Sequence, residues 1–226
     1  MFKPLKLYWL LVVAFYPLNA SSSLKAQERR EGGGVPILIS ANSAKNEKGH
    51  ISDGEQGTKD KNAEALLLKQ LSELARLLAR THHSQDAIKI EQEMELLRQG
   101  ALHPMAKALL RSAVRNMEAH KFSAAMDDLN SALLLQPDTA LLYRQRAQLY
   151  SAGSQSELAL VDLARSIHLD GNDVAAWDLL STVEEQKGDM MAAYKAWKHV
   201  LALSPAHEEA KSRLQSLHTK AFGQAL

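Results

Sequence analysis

The sequence predicts an all-α protein built from stacked helical hairpins, and three observations carry that prediction. The chain repeats itself at an interval of 34 residues: Pro137, Gly171 and Pro205 fall into line, and so do Ala125, Ala159 and Ala193. Leu and Ala, two of the best helix formers, supply 70 of the 226 positions. From Ala63 onward long runs with helical spacing are interrupted only by rare breakers.

Composition bounds the rest. With 46% hydrophobic, 5% aromatic and 23% charged residues, the chain is neither collagen-like nor fully disordered. Cys is absent, which excludes disulfide frameworks, Cys-based zinc sites, Cys nucleophiles and acylation of a Cys. The net charge is +1, too small an excess to suggest a protein that coats nucleic acid.

Residues 1–20 read as an export signal. Lys3 and Lys6 precede an uncharged, mostly apolar run from Leu7 to Tyr16, and Ala20 stands before Ser21-Ser22-Ser23 as the last residue removed. The rival reading is an uncleaved anchor, but Leu7 to Leu18 is only 12 residues, short of the roughly 20 that a spanning helix needs. Either form places the body across a membrane, in the periplasm or outside the cell if cleaved and membrane-anchored if not. Residues 21–62 read as a disordered linker, because they hold six of the eleven Gly and show no apolar periodicity. Val35-Pro36-Ile37-Leu38-Ile39 is an apolar patch within it, and Pro36 argues against a strand.

Residues 63–100 predict a further, degenerate helical hairpin. Ala75 and Ala87 lie 12 apart; Leu71, Leu74 and Leu78 share one helix, Ile90, Met94 and Leu97 the next, and His82-His83-Ser84 forms the turn. A two-helix coiled coil is the alternative, since Leu67, Leu71, Leu74 and Leu78 have heptad spacing. The step from Ala75 to Ala113 is 38 residues rather than 34, and Gly100 to Pro104 would absorb the difference.

Three regular units follow, at 106–139, 140–173 and 174–207, each with a turn near His120, Ser154 or Gly188. Small residues at Ala113, Ala147 and Ser181 sit 12 before Ala125, Ala159 and Ala193, one on each helix of a pair, so that the helices approach closely. Bulky residues at Leu109, Tyr143 and Trp177, and at Leu129, Leu163 and Trp197, fill the space beside them. Asp138 or Thr139, and Asn172 or Asp173, are placed to cap the following helix. Residues 208–226 form a capping helix and tail, with Ala210, Leu214 and Leu217 on one face of the helix.

This pattern resembles the tetratricopeptide repeat family. The matching places are the bulky fourth (Leu109, Tyr143, Trp177), the small eighth, the Ala at the twentieth and the Pro or Gly at the thirty-second. Asn116 and Glu184 stand where the family has Tyr, and Ser166 and Val200 where it has Ala. The resemblance implies a right-handed α-solenoid of three such units plus the degenerate N-terminal unit and the C-terminal cap. It also implies a concave face lined by the first helix of each unit. The residues it places there are Lys107, Leu110, Val114 and Met117, with Arg111 beside them; then Arg144 and Gln148; then Asp178, Thr182 and Glu185. That face would run from basic to acidic, with an apolar patch at Leu110, Val114 and Met117, and would take a peptide or helix of a protein partner. The clamp by which some family members hold a terminal carboxylate is not reproduced, since Leu110 and Val114 occupy its places in unit one.

Catalytic constellations are missing from the sequence. There is no Gly-x-Ser-x-Gly elbow and no phosphate loop. His207-Glu208-Glu209-Ala210-Lys211 begins like a zinc-protease helix but has Lys211 in place of the second His. Asp170-Gly171-Asn172-Asp173 lacks the later ligands of a calcium loop. The expectation is a non-enzymatic adaptor of the bacterial cell envelope, with no cofactor, no metal and no nucleic acid, bound to a protein of an envelope assembly or secretion system. The alternative is an accessory subunit or a carbohydrate-active envelope enzyme.

Overall fold

The computed structural model describes residues 53–207 and 210–223, so the export signal expected at 1–20 and most of the linker expected at 21–62 lie outside the described residues. Nine helices occupy the described part: α1 (Asp53–Leu78), α2 (Ser84–Gly100), α3 (Pro104–Glu118), α4 (Phe122–Leu135), α5 (Ala140–Ala152), α6 (Ser156–Leu169), α7 (Val174–Lys187), α8 (Met190–Leu203) and α9 (Ala210–Phe222). The helix pairs α3–α4, α5–α6 and α7–α8 are the three units, each packed on the next through α4 with α5 and α6 with α7, and α9 closes on α8.

The small positions do what their spacing requires. Ala113, Ala147, Ser181, Ala125, Ala159 and Ala193 are all fully buried between paired helices. Ser181 can replace Ala because its hydroxyl donates to the Ala193 carbonyl at 2.9 Å, across the hairpin at the 12-residue interval. Asn116, standing where the family has Tyr, bridges the pair differently, donating to Asp128 at 2.8 Å. Of the candidate caps, Asp173 accepts from the Ala176 amide at the start of α7, while Thr139 precedes α5 without a side-chain cap.

The three hairpin turns share one backbone solution. His120, Ser154 and Gly188 have φ of 56°, 57° and 93°, all left-handed, again 34 residues apart. Each sits just past a helix end, and the next amide closes the turn on the carbonyl five residues back: Lys121 on Asn116, Gln155 on Tyr150, Asp189 on Glu184. Only the third turn uses the residue that adopts this conformation freely.

Two expectations change. The helix α1 begins at Asp53, so residues 53–62 are helical rather than linker; once the Ala63–Leu78 run has nucleated a helix, extending it costs little per residue. The 63–100 segment forms the hairpin with the predicted turn, but its partners lie beyond unit one. Leu71, Leu78, Ala87, Ile90 and Met94 share a buried cluster with Val174, Trp197 and Leu217 of the third unit and the cap. The four extra residues before unit one take the hairpin out of the repeat register and let it fold along the array.

Its course follows the turns between units in reverse order. Glu91 meets His207, after unit three, at 3.3 Å. Arg98 reaches Asp170 at 2.8 Å and the Asn172 carbonyl at 3.3 Å, after unit two. Beyond the end of α2, the His103 amide donates to Gln136, after unit one, which in turn donates to the Ala101 carbonyl. The N-terminal hairpin and the residues that join it to α3 therefore form a strap across the turns that end all three units.

Candidate functional site

The first helices α3, α5 and α7 carry every residue that the sequence places on the binding face, because a period of 34 returns each unit to the same orientation. Their surroundings differ from unit to unit. On α3, Arg111 is exposed, Lys107 and Val114 are half-buried, and Leu110 and Met117 are buried. On α5, Gln148 is half-buried and Arg144 is buried. On α7, Asp178, Thr182 and Glu185 are half-buried.

Arg144 is the main correction. The sequence marks it as a solvent-facing cation at the centre of the groove, whereas it is 6% exposed and consumed within the chain. Its Nε donates to Asp173 at 2.7 Å and its second guanidinium nitrogen to Glu95 of the strap at 2.6 Å. Arg98 joins the group, 2.8 Å from Asp170 and 4.0 Å from Asp173. Burial works against the charge on Arg144, but Asp173 and Glu95 outweigh it and hold the guanidinium above its ordinary range. Burial would likewise raise the Asp173 carboxyl, and the cations Arg144 and Arg98 overcome it, keeping the group below the usual carboxylate range.

The acidic end of the face is also engaged. Arg213 of α9 donates to Thr182 at 3.1 Å and lies 3.4 Å from Glu185, and Lys220 of α9 hydrogen-bonds Glu185. The guanidinium of Arg213 also sits 4.9 Å above the Trp197 ring. Solvent-facing charge from the predicted set is thereby concentrated on α3, at Lys107 and Arg111 beside Val114.

Glu95, Arg98 and Asp170 complete the network; Glu95 and Arg98 were not singled out by sequence reasoning, and Asp170 was considered only as part of an incomplete calcium loop. A signal existed: Arg98 falls four residues after Met94, on the apolar face of α2, where an unpaired charge is costly. Trp177 and Trp197 take packing roles, with indole nitrogens donating to the Gly171 and Ala210 carbonyls. Among the described residues no group of three or more His, Asp or Glu is placed to hold a metal ion. Among them, too, no helix is long and apolar enough to cross a membrane.

Hairpins of this geometry at this fixed interval define an α-helical repeat array. In fold and in repeat pattern the chain is similar to tetratricopeptide-repeat domains. A TPR repeat-containing protein of Rhizobium etli is 23% identical over 163 residues, covering 72% of this chain and 80% of that one. The first TPR domain of Spaghetti (RPAP3), solved with an HSP90 peptide, aligns with a TM-score of 0.50 at 20% identity, covering 53% of this chain and 94% of that one. The Sgt2 TPR domain of Aspergillus fumigatus gives a TM-score of 0.49 at 25% identity over 53% of this chain and 80% of that one. No family profile matches the chain.

Proposed function

We propose that this protein is a non-enzymatic interaction scaffold that binds a peptide or helix of a partner protein on its first-helix face. The observation that carries the reading is the repeat itself: hairpins at a 34-residue interval that present side chains of successive first helices on one surface. A structural neighbour solved with a peptide bound supports the same use of the fold. Within the face, Lys107 and Arg111 beside Val114 on α3 supply positive charge and an apolar contact, suited to a partner segment with acidic and apolar residues. The compartment is part of the proposal: the Met1–Ala20 pattern supports export to the bacterial envelope, where the partner would belong to an assembly or secretion system.

Affinity purification from envelope fractions tests both parts. The chain should retain a protein partner, and Lys107→Glu with Arg111→Glu should weaken that capture strongly at low salt and less at high salt, with the fold intact. Exposed Asp127→Lys on α4 should leave it unchanged. Capture lost with Asp127→Lys and kept with the α3 pair would overturn the face assignment. N-terminal sequencing decides processing: a mature chain starting at Ser21 supports the cleaved signal, and one starting at Met1 in the membrane fraction replaces it with an anchor.

A further inference from the structure

The strap helix α2 has the form of a bound ligand. Its apolar residues Ala87, Ile90 and Met94 are buried against the array, spaced three and four apart along one helical face. Beside them, Glu95 and Arg98 enter a buried set of charges that belongs to the array: Arg144 of α5, and Asp170 and Asp173 of the turn between units two and three. Met94, Glu95 and Arg98 thus read two units at once. The outward side of the strap exposes Leu96 and Ile88, at 63% and 38%, with Leu77 of α1 exposed at 53%. The surface of the array that α2 covers is thus matched to an amphipathic helix, and the chain itself fills it.

We propose that α2 is an internal, competing ligand: a partner's amphipathic helix with apolar residues at the Ala87, Ile90 and Met94 spacing, followed by an acidic and then a basic residue, takes the same surface when the hairpin is displaced. The proposal rests on the scaffold reading above and adds a second, gated surface to it. Occupancy by α2 would keep the surface closed until a partner helix competes, lowering the apparent affinity by the fraction of chains in which the hairpin is released. Residues 101–103, between α2 and α3, provide the connection about which the hairpin would swing.

The test uses the full chain and, as probe, a fluorescein-labelled peptide with the sequence of residues 84–103, followed by anisotropy. Two variants move the equilibrium in opposite directions. Glu95→Ala with Arg98→Ala weakens the hold of the strap. Glu91→Cys with His207→Cys introduces the only two thiols in the chain, at side chains that touch across the strap and the third turn, and a short bis-maleimide joins them. The released variant should bind the peptide at least tenfold tighter than the unaltered chain, and the bridged variant should lose binding relative to its own unbridged form. Equal binding by the bridged and unbridged proteins would overturn the proposal. So would absence of peptide binding by the released variant while hydrogen exchange shows α2 unprotected and α3–α8 protected. Capture of the envelope partner through Lys107 and Arg111 is scored separately, so failure here does not count against the scaffold reading, and failure there does not count as failure here.

Discussion

Replacing Arg144 separates a surface cation from a structural one. If Arg144 faced solvent, Arg144→Met would change stability by a few tenths of a kcal/mol. In the structure it makes two charge-assisted bonds, at 2.7 and 2.6 Å, to Asp173 and Glu95, and is nearly inaccessible. Charge-assisted bonds are worth about 1.5–3 kcal/mol each, and breaking a buried pair by removing one partner costs about 3–5 kcal/mol. Arg98 stays 4.0 Å from Asp173 and relieves part of the exposed charge, which places Arg144→Met at about 3 kcal/mol, the lower end of that range. Arg144→Glu would add a third carboxylate beside Asp173 and Glu95 and should cost more. The measurement is urea unfolding followed by circular dichroism, run as a double-mutant cycle with Asp173→Asn, whose amide oxygen can still cap α7. A coupling of about 2 kcal/mol is expected, within the range for residues in one network. A loss below about 1 kcal/mol for Arg144→Met, or a coupling near zero, would refute the network as a source of stability.

Three further outcomes are expected. His120→Gly and Ser154→Gly should each stabilise the fold by about 1 kcal/mol, and Gly188→Ala should destabilise it by a similar amount, in thermal or urea unfolding, because all three positions are left-handed and a Cβ at Gly188 would meet no neighbouring atom within 4 Å. Ala159→Leu, at a position with no accessible surface between α5 and α6, should cost about 1–3 kcal/mol by overpacking, and a neutral result would mean that the pair is not closely packed there. The Asp173 carboxyl is held below its ordinary value of 3.8, so its stabilising contribution is complete above that pH and is lost as pH falls below it; Asp173→Asn should flatten this part of an acid-unfolding profile and leave the neutral range parallel to wild type.

The repeat was legible because each unit repeats the same packing problem. Fixed spacings of small and bulky residues, such as Ala113 with Ala125 and Ala147 with Ala159, record contacts within a hairpin, and contacts at short separation leave a periodic trace. The turns at His120 and Ser154 were found by register alone, since neither residue favours the conformation it adopts. The position of the strap left no such trace. Its contacts, Arg98 with Asp170 and Glu91 with His207, join residues 72 and 116 apart, and each occurs once. For the same reason Arg144 was placed correctly on the first-helix face but misjudged in exposure: its helix position follows from the period, whereas the carboxylate that covers it comes from outside the period.

The strap also alters how the array can come apart. In a linear stack each unit touches only its neighbours, so stability is approximately a sum of local terms and the ends fray first. Here α2 contacts the turns after units three and two, and the residues that follow it contact the turn after unit one, which ties the first and last units into one cooperative element. Loss of the end unit then also costs the bonds made by the hairpin, and partial unfolding from the C-terminus loses its low-energy route. The kinetic counterpart is slower assembly: the contact between Glu91 and His207 closes a loop of 116 residues, far longer than any closed within a hairpin, so docking of the strap should be the last folding event and its release the first step of unfolding.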